Sequence, residues 1–372
     1  MESKRIILNQ NQRNFNGGTP PILRGITPKQ IKSITEKRGN KVQVQTVGNP
    51  MARKVKRKQK APGVKPPIAP RPTSKYLTTL VTENNIKRMD VPEQGSFNAG
   101  LIPFDDGYIL TYRPDEYSFK AVLLDENMNI DPKTYFKFNI GNCADPRLVW
   151  DDKKLILVYS STEEVGLREE CIRGSIIMDR SQSDAFINSK PFNISLPHTK
   201  GRQKNWTPFK FEDKIYLVAS ICPHVIYELE VFDETNVLCK KKWETNWHHP
   251  WFYKEFLRGN TNAVQLEDGN YLGTFHTAVR LGTSMHFYDN GCYLFEGKPP
   301  FRVLKCSNRT YLKAEDAVST HYRKRNLITV CFPVGMVRKG EKIFISYGDN
   351  DSEVKILETS VKEMMDLMVD VY

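Results

Sequence analysis

One phrase recurs five times along this chain: a short apolar strand, an acidic or Gly/Lys-containing turn, and a second strand richer in aliphatic and aromatic residues. The copies run from Ala99 to Leu110, Asp145 to Val158, Pro208 to Val218, Asn262 to Leu272 and Pro333 to Tyr347. Their turns include Asp105-Asp106-Gly107, Asp151-Asp152-Lys153 and Asp268-Gly269. Asp-Gly dipeptides favour left-handed turn conformations and aromatic or β-branched flanks favour strands, so each copy predicts a β-hairpin. One small sheet cannot bury both faces unless it stacks on a neighbour. Hairpins spaced by about 45 to 70 residues therefore predict a β-propeller. The expected fold is all-β: a five-bladed β-propeller over residues 76–372, preceded by a disordered basic N-terminal tail over residues 1–75.

The net charge of +12 belongs to that tail. Residues 1–75 hold 18 Lys and Arg against two acidic residues, whereas the remainder holds 37 basic and 41 acidic. Few large apolar residues and a proline-rich stretch from Pro62 to Pro72 leave the tail unable to offset its chain entropy. Its basic run, Arg53 to Lys60, reads either as a patch for nucleic acid or another polyanion or as a solvated tether. No stretch approaches the roughly 20 apolar residues of a membrane span, and the first residues lack a secretory core. The expected location is cytoplasmic, with nuclear import through Arg53 to Lys60 as the alternative. Seven dispersed cysteines, none in a Cys-x-x-Cys pair, fit reduced thiols and not a disulfide framework or zinc site.

Each repeat carries polar groups where an all-apolar strand would be the simplest solution. Asn98 precedes the first; Asp145 and Arg147 sit in the second; Lys204, Asn205 and Trp206 lead into the third. Asn260 and Asn262 open the fourth, with His276 at its end, and Tyr347, Asp349 and Asp351 end the fifth. In a propeller these positions converge on one mouth. Carboxylates, cations, amides and an indole gathered there suit a sugar pocket, in which aromatic faces stack on pyranose rings and planar polar groups bind hydroxyls. Each residue also has a plain structural reading: Asp145 as a turn cap, Arg147 as its partner, Trp206 as a core indole.

Ala144-Asp145-Pro146-Arg147, Lys204-Asn205-Trp206, Phe275-His276, Phe332 to Val337 and Tyr347-Gly348-Asp349-Asn350-Asp351 resemble, in order, the signature blocks of glycoside hydrolase family 130. The resemblance covers about residues 95 to 358. It implies a five-bladed propeller acting on mannosides, mostly by phosphorolysis. A related glycosyltransferase family shares the propeller and moves mannose between β-1,2-mannan, phosphate or a sugar nucleotide. By the same resemblance Asp145 matches the general acid and Arg147 the polar residue beside it. Lys204 and Asn205 match part of the anion and sugar site, His276 the fourth-blade His, and Asp351 an Asp that binds a hydroxyl of the distal sugar. The chain departs from the family at Ala144, where Glu is usual, and at Gly259 to Val264, where Gly and Pro are usual. Arg168, Arg173, Arg202 and Arg258 are candidate phosphate ligands.

The expected function is thus a carbohydrate-active enzyme, a glycosyltransferase or a glycoside phosphorylase or hydrolase on mannose-like sugars, with Asp145 as acid and Trp206 as stacking platform. Its expected partners are a sugar or glycan and either phosphate or a nucleotide sugar. The alternative is a non-catalytic propeller scaffold that binds glycans or proteins. No metal site is expected, since His248 and His249 are adjacent and the other histidines lack ligand spacing. No cofactor is expected, apart from a divalent ion that could enter with a nucleotide-sugar donor.

Overall fold

In a computed structural model the described residues are 78–371 without 116–117, 139, 162–170, 183–185, 187–190, 195–202, 232–236, 250–256, 282–284 and 320–327, and without the side chains of 279–281, 285–286 and 328. The tail expected over residues 1–75, its basic run, Arg168 and Arg202 lie outside them.

A short strand, β1 (Ile86–Arg88), precedes a four-stranded antiparallel sheet of β2 (Phe97–Phe104), β3 (Gly107–Arg113), β4 (Phe119–Leu124) and β5 (Phe136–Phe138). A second sheet holds β6 (Cys143–Asp151), β7 (Lys154–Ser161), β8 (Cys171–Asp179) and β9 (Phe192–Asn193). The third holds β10 (Thr207–Phe211), β11 (Lys214–Ser220), β12 (His224–Val231) and β13 (Val237–Thr245). The fourth repeat gives β14 (Arg258–Gly259), β15 (Val264–Gln265), β16 (Tyr271–Leu281), β17 (Met285–Phe295) and β18 (Val303–Ser307). The fifth gives β19 (Ile328–Lys339), β20 (Lys342–Asp349) and β21 (Glu353–Ser360), followed by helix α1 (Val361–Asp366) and strand β22 (Met368–Asp370).

All five expected hairpins form, through the closing pairs Phe104↔Gly107, Asp151↔Lys154, Phe211↔Lys214, Gln265↔Tyr271 and Lys339↔Lys342. Each turn holds one left-handed residue: Asp105, Asp152, Glu212, Gly269 or Gly340. Strand pairing nevertheless delivers four sheets. The fourth and fifth repeats share a ten-stranded sheet because the β16–β17 hairpin runs on beyond β14 and β18, and β17 pairs in parallel with the start of β19, at Phe287↔Thr329 and Tyr288↔Val330.

Five large apolar clusters hold these units together, and each straddles two successive repeats. Ile109 and Phe119 pack with Leu148, Leu157 and Tyr159 between the first and second. Val149 and Ile176 pack with Trp206, Leu217 and Leu229 between the second and third. Phe209 and Tyr216 pack with Tyr271, Phe295 and Phe301 between the third and fourth. Leu272 and Leu294 pack with Met336, Ile345 and Tyr347 between the fourth and fifth. Val337 and Phe344 pack with Leu101, Tyr108 and Leu110, bringing the fifth back to the first. At about 25 cal/mol per Å² of buried apolar surface, this sheet-on-sheet burial is the main stabilising term. The repeats thus follow one another round a closed circuit, the propeller-like arrangement the sequence predicts. Their close approach explains Gly100, where a Cβ would sit 2.3 Å from the carbonyl oxygen of Pro146 in the next repeat.

The segment from Leu77 to Val91 reads from sequence as an outer or closing strand. Within it, β1 pairs antiparallel with β21 as the outermost strand of the fifth repeat. The helix expected over Ser360 to Tyr372 is shorter. It is capped by Ser360, whose side chain accepts from the Glu363 backbone N–H, and it ends at Asp366. Met368–Asp370 then pair with β18, where tertiary pairing overrides the helical spacing of the methionines. No helix of the described residues is long and apolar enough to cross a membrane.

Candidate active site

Four polar residues at the same end of the circuit share a left-handed backbone: Asn98 at φ 47°, Asp145 at 61°, Asn205 at 61° and Asp351 at 50°. Asn and Asp tolerate this conformation because their short side chains bond locally. In β2 the ladder slips between Phe97 and Gly100, and in β6 between Ala144 and Arg147. Such bulges take a residue out of the alternating pleat and re-aim its side chain.

Two carboxyls meet here, Asp145 from the β6 bulge and Asp351 from the turn between β20 and β21, with Asn98 from the β2 bulge beside them. Asn98 Nδ2 donates to Asp145 Oδ1 at 3.0 Å, and the Arg113 guanidinium stands 3.5 Å from the same oxygen. Arg113 lies at the end of β3, buried, with its guanidinium carbon 4.6 Å above the centre of the Phe97 ring. Burial pushes the Asp351 carboxyl up to about 6; the Arg113 charge opposes this, the Asp145 charge adds to it, and Lys204 and the Asn98 hydrogen bond oppose it. One amide and one guanidinium therefore serve both acids. Gly348 makes room for them, since a Cβ there would lie 2.2 Å from Asn98 Oδ1.

Beside this pair, Arg147 is 1% exposed. Its Nε donates to the Asn260 carbonyl, its NH1 to the Asp145 carbonyl at 2.9 Å, and its NH2 to Asn205 Oδ1 and the Gly259 carbonyl, both at 3.3 Å. Three successive repeats are tied by one side chain. Burial lowers its pKa to about 10, so it remains a cation near neutral pH. Asn260 Nδ2 donates to Asn290 Oδ1 at 3.0 Å, and Asn290 Nδ2 donates in turn to the carbonyls of Leu312 and Cys331, both at 3.0 Å. That leaves Asn260 Oδ1 to accept from His276 Nδ1 at 2.6 Å, so the ring's proton sits on Nδ1 and its Nε2 is an acceptor. Burial first, and then the charges of Arg258, Arg147 and Lys204, hold His276 well below the usual histidine range. The site therefore combines the Asp145 and Asp351 carboxyls with a neutral imidazole at His276, the Lys204 charge acting on both Asp351 and His276 and the Arg258 charge on His276.

Of the residues singled out in the sequence, Asn98, Asp145 and Asp351 come together, with the Lys204 charge acting on both Asp351 and His276. Arg147 and Asn205 form the adjoining frame, and all three nitrogens of Arg147 are spent on protein acceptors, not held for a substrate. Trp206 does not present a platform: it is 1% exposed, stacked 5.0 Å from Tyr227 in the apolar layer between repeats. Asn262 bridges to the next repeat through the Met336 N–H at 3.0 Å and carbonyl at 2.8 Å. Tyr347 is buried in the layer between the fourth and fifth repeats. Asp349 is fully buried against Lys355 at 2.5 Å and accepts from the Val318 and Ser319 N–H groups, so it anchors the chain beside the site. Sequence reasoning missed Arg113 and Asn290. Among the described residues no group of three His, Cys, Asp or Glu could hold a metal ion.

The model of the glycoside hydrolase 130 family, described as β-1,4-mannooligosaccharide phosphorylase, matches residues 67–370. No curated protein matches the chain. One similar solved structure comes from work on the GH130 family of mannoside phosphorylases, described as containing glycoside hydrolases that target β-1,2 mannosidic linkages in Candida mannan. It aligns at a TM-score of 0.51 and 13% identity, over 72% of this chain and 85% of its own. A β-1,2-mannobiose phosphorylase from Listeria innocua aligns at 0.47 and 13%, over 77% and 94%. A glycosyl hydrolase from Bacteroides ovatus aligns at 0.47 and 13%, over 72% and 85%. At these identities the first likeness speaks for the fold alone. The family match spans most of the sequence and takes in all five hairpins, and the chain belongs to the glycoside hydrolase 130 family.

Proposed function

We propose that the protein is a mannoside-acting glycoside phosphorylase in which Asp145 is the general acid. The observation that carries this is the Asp145 carboxyl itself, turned out of β6 by a bulge and held by Asn98 and Arg113, with the Lys204 charge acting on the neighbouring Asp351 and on His276. A carboxylic acid placed this way protonates the glycosidic oxygen as it leaves. Phosphate, held by Lys204 and Arg258, attacks the anomeric carbon from the other face. The bond from that carbon to the leaving oxygen breaks as its bond to a phosphate oxygen forms, and the Asp145 proton ends on the released sugar hydroxyl. The incoming phosphate's proton restores the acid. Asp351, sharing Asn98 and Arg113 with Asp145, binds a hydroxyl of the sugar that is transferred. Neutral His276, with an acceptor nitrogen, orients a hydroxyl or a protonated phosphate oxygen. The same cations suit the diphosphate of a nucleotide sugar.

The test is release of mannose 1-phosphate by the full chain from β-1,2- and β-1,4-mannobiose with phosphate, with GDP-mannose plus acceptor assayed in parallel. Release that disappears in Asp145→Asn is the expected result. Turnover of GDP-mannose alone would make the protein a transferase, and unchanged activity in the variant would remove Asp145 from the chemistry.

A further inference from the structure

A single rung of the ladder in the fourth repeat carries Arg258, His276 and Asn290, through the pairs Arg258↔His276 and His276↔Asn290. Directly opposed residues put their side chains on the same face of a sheet, so these three stand in a row. Asn290 is also bridged to Leu312, which adds the backbone of that residue to the end of the row. Asn260, two residues beyond Arg258, reaches across, and its side-chain amide bonds to both Asn290 and His276. His276 is 1% exposed and both asparagines are fully buried.

The polarity of this row is dictated from its far end. The carbonyls of Leu312 and Cys331 can only accept, and both take Asn290 Nδ2 at 3.0 Å. Asn290 Oδ1 is therefore turned to Asn260, which must offer its Nδ2, and Asn260 Oδ1 is left for the ring at 2.6 Å. Two backbone carbonyls thus fix, across two amides, the imidazole proton on Nδ1. In water the neutral ring favours the proton on Nε2, so the fold holds the minor form. Burial, and then the charges of Arg258, Arg147 and Lys204, keep the ring neutral, so its Nε2 meets a ligand as a lone pair and not as a donor.

Resting on the phosphate-using function above, we propose that Asn290 is a positioning residue which, through Asn260 and His276, makes the site select a protonated oxyanion. An anion drawn to the Arg258 and Lys204 charges has to bring an O–H to Nε2. Hydrogen phosphate carries one. Sulfate, fully ionised near neutral pH, carries none and would set two lone pairs against each other. Phosphate and sulfate have nearly the same size and shape, and the same cations attract both, so charge does not separate them and the tautomer does.

The test makes two measurements on the full chain. Long-range nitrogen–proton NMR correlation of histidine-labelled protein, with the His276 signals identified by their loss in His276→Gln, reads the tautomer. Calorimetric titration near neutral pH compares inorganic phosphate with sulfate. Wild type is expected to be protonated at Nδ1 and to bind phosphate at least about tenfold more tightly than sulfate. In Asn290→Ala, once melting curves have verified folding, Asn260 can turn its Nδ2 to the ring. Mixed tautomers are then expected, with the preference for phosphate reduced to within about threefold. A wild-type ring protonated at Nε2, or equal wild-type affinity for the two anions, overturns the proposal even if the variant does not fold. A folded Asn290→Ala that keeps both the tautomer and the preference overturns the role of Asn290. Protonation at Nδ1 without binding of either anion would instead overturn the phosphate-using function, and the selectivity with it, while Asn290 keeps its hold on the tautomer.

Discussion

Replacing Arg147 by Met removes the guanidinium while keeping most of the side chain's volume. Four acceptors then lose their donor: the carbonyls of Asp145, Gly259 and Asn260, and Asn205 Oδ1. Each sits where water does not reach, and an orphaned buried acceptor costs about 1 to 3 kcal/mol. Against that sum stands relief of the desolvation that already lowers the Arg147 pKa to about 10. Removing one partner of a buried charged network typically costs about 3 to 5 kcal/mol net. At about 2.1 cal/mol/K per residue of unfolding entropy, a unit of this size loses about 5 to 8 °C in melting temperature. Differential scanning calorimetry near neutral pH reads the shift directly. Arg147→Lys, which keeps a charge but cannot reach acceptors in three repeats at once, is expected to fall between wild type and Arg147→Met. A Met variant melting within about 2 °C of wild type would refute the keystone role, because uncompensated buried acceptors on this scale shift Tm by more than that.

Two further outcomes follow from the geometry. The Asp351 carboxyl is raised from 3.8 to about 6 on folding, so its contribution to stability is full below pH 4 and is lost as pH rises to 6. Asp351→Asn should therefore gain on wild type by up to about 3 kcal/mol between pH 4 and pH 7, and melting curves that stay parallel across that window would exclude the shift. Trp206→Ala should cost about 3 to 5 kcal/mol of stability, while Trp206→Phe leaves mannobiose affinity within twofold at temperatures where the variant is folded; lost sugar binding in a folded Phe variant would return Trp206 to the site.

The hairpins were legible because their information is local. Turn residues such as Asp105, Asp152, Gly269 and Gly340 sit between strand-forming flanks, and each adopts the left-handed conformation its turn requires. The seam between the fourth and fifth repeats was not legible: β17 and β19 pair in parallel with more than 30 residues between them, and no turn announces such a pair. The acidic half of the site could be read because Asn98, Asp145 and Asp351 are polar residues in apolar surroundings. Arg113 could not, since a cation ending a strand reads as a solvent-facing one, and only the fold turns it onto Asp145. Trp206, Tyr347 and Asp349 share the same sequence signal as the residues that gather at the candidate site. What separates them is burial, which depends on the repeat packed alongside.

The pairing of β1 with β21 joins Ile86 to Leu357. A nascent chain emerging from the ribosome exposes the first partner long before the second exists, so the first repeat must wait with one flank uncovered until synthesis is nearly finished. Long-range closure of this kind slows folding and lengthens the time during which unpaired strand edges meet other chains. Once made, the closure ties the strand that precedes the first repeat to the last repeat through Ile86, Lys87 and Arg88, so releasing either one means breaking that ladder.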